Sequence, residues 1–150
     1  MKRFVYRLEP VLRQREWALR DAQAALAEAN EQVAQQEREV AAVLDRYKGA
    51  LDDWTALVGA GRECGVDVYA RQAAYAADVA TRLADDRAAL AERVTVRDAT
   101  AALLAARRRE VDAADDHRAR SHARFRQVIA VKEFADADDR WIDPSRKEER

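Results

Sequence analysis

Read every seventh residue, the stretch from Leu12 to Trp54 gives Leu12, Leu19, Leu26, Val33, Val40, Tyr47 and Trp54. These seven apolar or aromatic side chains fall on one ladder without a miss. No proline interrupts it, and Gly49 is its only glycine. A straight α-helix drifts about 20° per heptad against such a ladder, so the row stays in line only if the helix supercoils about a partner. The pattern predicts one strand of a left-handed coiled coil.

The composition agrees with long helices rather than with a sheet or a loop-rich enzyme. Of the 150 residues, 37% are charged, four are glycine and two are proline. The apolar residues suffice for a narrow seam, not for a compact core. A net charge of −1 gives no global case for nucleic acid or an anionic membrane. A single cysteine excludes an internal disulfide and suits a reducing compartment. No apolar run approaches the roughly 20 residues that span a bilayer. The opening MKRFVYRLEP is basic but lacks the apolar run and cleavage site of a signal peptide. The expected location is the cytoplasm.

Along the chain, Phe4, Val5 and Leu8 lead into the first helix, expected over about 8–58. Pro10 fits only in its first turn, where the missing N–H is no loss. A second row lies beside the ladder: Arg15, Ala22, Ala29, Gln36, Val43, Ala50 and Leu57. Polar Arg15 and Gln36 in that row are candidates for fixing register at a cost in stability. Gly59, Gly61 and Gly65 then mark a reversal over 59–66, with Asp67 a candidate N-cap. The second helix, expected over about 67–135, carries the ladder Tyr69, Ala76, Leu83, Leu90, Arg97, Leu104, Val111, Arg118 and Phe125. Pro144 disfavours helix at Asp143, and residues 144–150 are expected to be a disordered tail. The prediction is an all-α fold, an antiparallel coiled-coil hairpin over 1–143.

Folding back at 59–66 places residue 10 near residue 115. The second helix then overhangs the start of the first by roughly 20 residues, about 30 Å. Phe125, Val128 and Ile129 lie on that overhang. Either they form a binding surface, or helix bending or the Phe4–Leu8 segment covers them. Charge is also uneven. Residues 1–20 hold six Lys/Arg and two Glu, residues 107–132 hold eight and four, and residues 30–90 hold seven and eleven Asp/Glu. The hairpin brings the two basic segments together at the end carrying the termini, where an acidic protein partner would suit them.

Nothing here predicts catalysis, and no cofactor is expected. His117 and His122 are five apart, off the same-face spacing of a helix, so a metal pair is not expected. Cys64 has no histidine near it in sequence, and the turn lacks the Gly-Lys-Ser/Thr of a phosphate loop. No concave pocket for a small-molecule substrate is foreseen. Among the arginines of 107–126 lie Asp112, Asp115 and Asp116, which weakens a nucleic-acid reading. Tyr47, Trp54, Tyr69 and Tyr75 cluster near the turn, either as seam fillers or as anchors for a protein partner.

The opening run Arg7-Leu8-Glu9-Pro10-Val11-Leu12-Arg13-Gln14-Arg15-Glu16, preceded by the aromatic Phe4, resembles the start of bacterial flagellar export proteins of the FliJ type. Length, a single glycine-containing turn and a charged helical C-terminus are similar too. Phe134-Ala135-Asp136 stands where many members have Leu-Asp-Glu, so the resemblance assigns no role to the C-terminal segment. It implies a non-enzymatic stalk of the type III export apparatus. The end carrying the termini would enter the pore of the hexameric export ATPase, through Arg7, Arg13, Arg107, Arg108, Arg124 and Phe125. The part nearer the turn would meet the cytoplasmic domain of the export-gate membrane protein, through Val40, Leu44, Tyr47, Leu51, Val79 and Leu83. Such a protein sits in the cytoplasm, peripherally associated with the inner-membrane apparatus, and some members also bind export chaperones. The stalks of virulence injectisomes share this plan, and a generic structural coiled coil is the remaining alternative.

Overall fold

A computed structural model describes residues 3–59 and 65–142. Two long helices, α1 (Glu9–Gly59) and α2 (Val66–Ile142), pack against each other as an all-α hairpin. Among the described residues there is no strand, and no helix is long and apolar enough to cross a membrane. The residues between the helices that include Gly61 and Cys64, and the tail 144–150, lie outside the described residues.

The helix ends follow from local chemistry. The Leu8 carbonyl accepts the Leu12 N–H at 3.0 Å, so Pro10 sits in the first turn with no intrahelical donor to lose. At the start of α2 the Gly65 carbonyl accepts the N–H groups of Val68 and Tyr69 at 2.9 and 3.2 Å. Gly65 therefore precedes the first turn, and Asp67 lies inside that turn rather than capping it. There its carboxylate still favours the positive end of the helix dipole. The other end of α2 differs from the sequence reading more. The helix runs past Ala135 to Ile142, because 136–142 contains no glycine or proline and Pro144 is the first residue that cannot continue it.

Burial follows the heptads. On α1 every residue of both rows, from Leu12 to Leu57, is buried or half-buried. On α2 the expected row is inside from Ala76 to Val111, while Tyr69 and Arg118 are exposed. A companion row, Val79, Asp86, Arg93, Thr100, Arg107 and Ala114, is also inside. Half of it is charged, which is why an apolar pattern does not reveal it. Arginine enters such a row by laying its methylenes along the partner while its head reaches outward.

The chain divides into two compact units, one of Asp21–Ala105 and one of Met1–Arg20 with Ala106–Arg150. In the first, Val43, Val79 and Leu83 form the core, with Val40, Leu44 and Tyr47 packed on it. Gln36, only 4% exposed, donates from Nε2 to the Asp86 carbonyl at 3.4 Å. Gln72 donates to the Ala50 carbonyl at 3.3 Å. An advance from Gln36 to Ala50 on α1 is thus matched by an equal retreat from Asp86 to Gln72 on α2, the signature of an antiparallel pair. Trp54 and Tyr69 meet with ring centroids 4.7 Å apart. In the second unit Leu12, Val111 and Ala114 form the core, with Leu19 packed against it. Arg15 donates from Nη1 to the Glu110 carbonyl at 3.0 Å.

Leu12 is 2% exposed and Leu83 4%. Truncating either to alanine is expected to cost about 2–4 kcal/mol, the range for deleting a buried leucine side chain. Leu51→Ala, on the outer face, should stay within about 0.5 kcal/mol. Urea unfolding followed by circular dichroism checks both.

Candidate partner-binding site

Within the unit that joins residues 1–20 to residues 106–150, the segment before α1 does more than lead into a helix. Tyr6 is its most buried residue, whereas Val5 and Leu8 are exposed. The Tyr6 hydroxyl lies 2.9 Å from His117 Nδ1 and 3.4 Å from the Ala114 carbonyl. The Phe4 ring meets His122 edge-on at 4.9 Å and Phe125 at 5.5 Å. The chain's only two histidines are therefore each engaged by an aromatic of this segment. Their five-residue spacing, unsuited to a shared metal, suits two neighbouring aromatics. Among the described residues no three His, Cys, Asp or Glu side chains gather as metal ligands.

This clasp decides the fate of the overhanging residues. Phe125 is half-buried under Phe4, and Ile129 is half-buried as well. Val128 remains open to solvent. The segment covers part of the overhang and leaves another face of α2 bare.

All six residues placed at the ATPase-ring end by the resemblance belong to this one unit. Arg7, Arg13, Arg108 and Arg124 are exposed, and Arg107 and Phe125 are half-buried. Arg13 lies 3.9 Å from Glu9, which also pairs with Arg118 at 3.6 Å. Arg107 is held by Glu110 at 3.1 Å. Such exposed pairs contribute roughly 0–1 kcal/mol, so the guanidinium groups remain available to a partner. Trp17, two-thirds exposed, stands beside Arg13 and Gln14 over Glu9 and Pro10. It lies off both α1 rows, a signal present in the sequence that an outward aromatic accompanies the basic side chains. Tryptophan and arginine together are the usual anchors of protein interfaces.

The second set falls within Asp21–Ala105. Val79 and Leu83 are buried in the seam, and Val40, Leu44 and Tyr47 pack against them. These five hold the hairpin together. The surface left to a partner is Leu51, 40% exposed, with the outer edges of Val40, Leu44 and Tyr47. Their place in the seam has a simple cause: Val40 and Tyr47 are on the ladder itself, and Val79 and Leu83 are on the rows that face it. Of the aromatics near the turn, Trp54 and Tyr69 contact each other, while Tyr75 is half exposed.

Comparison with protein-family models, with curated proteins and with solved structures finds no match for this chain.

The clasp makes a measurable prediction. Tyr6→Phe removes the hydroxyl bond to His117 while keeping the ring, and should cost about 1 kcal/mol. Phe4→Ala removes two aromatic contacts and should cost about 1–3 kcal/mol. Faster amide exchange at Glu9 and Leu12 in both variants, with α2 near Leu83 unchanged, would place the loss at the clasp.

Proposed function

We propose that the chain is a FliJ-type stalk of flagellar type III protein export, without enzymatic activity of its own. One observation carries the reading. Basic residues from two distant stretches, Arg7 and Arg13 with Arg107, Arg108 and Arg124, belong with Phe125 to one compact unit. That unit is built on the segment that resembles the family. Leu12, inside the resembling run, is its most buried side chain, and Arg15 reaches across to α2.

In this reading the basic unit enters the pore of a hexameric export ATPase lined with acidic groups. Complementary charge speeds encounter and orients the docking. A two-helix insert has no sixfold symmetry, so it makes unequal contacts with six equivalent subunits. Unequal contact energies couple their nucleotide states, which is how an inert rod stimulates an ATPase. The surface around Leu51 meets the cytoplasmic domain of the export gate, holding the protein peripherally at the inner membrane, and export chaperones are further partners.

Replacing Arg13, Arg108 and Arg124 by glutamate together is expected to weaken binding to the purified export ATPase at least tenfold, about 1.4 kcal/mol, and to abolish its stimulation. The wild-type interaction should weaken steeply with added salt. Undiminished stimulation by the triple variant overturns the assignment. A wild-type chain that binds an injectisome ATPase in preference points to the injectisome counterpart, and one that binds neither leaves a structural coiled coil.

A further inference from the structure

Beyond the clasp, α2 carries a second apolar face. Val128 is 53% exposed, Val131 68% and Phe134 75%, and none is covered by another described residue. Counting from Val131, Val128 lies three residues before and Phe134 three after. Arg124 lies seven residues before and Asp138 seven after. Seven residues are two helical turns, so Arg124, Val131 and Asp138 share one side of the helix, with Val128 and Phe134 flanking Val131. Arg124 and Asp138 are both exposed, and neither has an ion-pair partner among the described residues.

This arrangement is complementary to its own reverse. Laid antiparallel on a second copy about Val131, the face sets Val131 against Val131 and brings each Val128 level with the other copy's Phe134, on opposite flanks of the contact. Each Arg124 then meets the other copy's Asp138. A parallel pair in register satisfies neither charge, because it sets Arg124 against Arg124 and Asp138 against Asp138. Twofold self-association requires this kind of self-complementary patch.

We propose that this face of α2 binds a second copy of the same chain, in an antiparallel twofold dimer centred on Val131. Stable specific interfaces bury about 1,600 Å² in all, and a single four-turn helix face falls short of that, so the dimer is weak and reversible. It leaves the α1–α2 seam intact, unlike a dimer formed by exchanging helices. Arg124 also belongs to the basic unit proposed to enter the ATPase, so the dimer and the ring-bound form exclude each other.

Sedimentation equilibrium of the full chain tests this with no ATPase present, so its outcome is independent of the export reading. Wild type should associate with rising concentration into dimers and no further. Phe134→Glu should abolish association while circular dichroism shows unchanged helix content. Arg124→Asp and Asp138→Arg should each weaken it at least tenfold, because each sets two like-charged pairs in the dimer. Mixing those two variants should restore association, since every pair across the mixed dimer is again opposite in charge. A wild type that stays monomeric at hundreds of micromolar overturns the proposal and leaves the face to a different partner. Association that survives Phe134→Glu, or mixing that restores nothing, overturns it in favour of contact elsewhere on the chain.

Discussion

The seam works because polar side chains inside it find backbone acceptors on the opposite helix. Gln36 reaches the Asp86 carbonyl, Gln72 the Ala50 carbonyl, Arg15 the Glu110 carbonyl and Tyr6 the Ala114 carbonyl. A buried donor without a partner would cost about 1–3 kcal/mol, comparable to a buried leucine. These four donors each have one, and no buried side-chain nitrogen or oxygen is left unsatisfied among the described residues. Alanine is what permits it. Ala22, Ala50 and Ala114 are small and buried, which brings the backbones close enough for a glutamine or arginine to span the gap. Apolar contacts supply most of the adhesion, and these four bonds define where along the partner each helix rests.

The heptad ladder made the fold legible, because seven residues on a strict spacing leave no other periodicity to choose. It also told which side of α1 is outside: Trp17 and Leu51 lie off both rows and are exposed. Where the sequence was silent, the residues were polar. The companion row of α2 contains Asp86, Arg93, Thr100 and Arg107, and no apolar count picks them out. A residue preference points to Asp67 as the cap, whereas the first N–H groups of α2 are accepted by the carbonyl of Gly65. The clasp was hidden for a further reason. Tyr6 and His117 are more than a hundred residues apart, and neither carries a local pattern that names the other.

The candidate sites divide along the same line. The basic residues could be placed because charge density is read directly from sequence and the hairpin follows from the ladder. The apolar set could not be split into seam and surface without the structure. Val79, Leu83 and Leu51 are chemically alike, yet the first two are interior and the third is open. On a two-helix fold a shift of a single position moves an apolar residue between seam and surface.

The cross-seam bonds also constrain how such a chain can change length. Between Gln36 and Ala50 on α1, and between Gln72 and Asp86 on α2, the two helices run the same number of residues. One residue inserted on either side would rotate everything beyond it by a quarter turn or more and separate one of the two bonds from its acceptor. Seven residues inserted on one side would restore the face but leave the opposite helix a full repeat short. Only matched insertions of a whole heptad in both helices preserve the pairing. Length variation in this stretch is therefore expected in paired steps of seven, written twice in one gene at mirror-image distances from the turn.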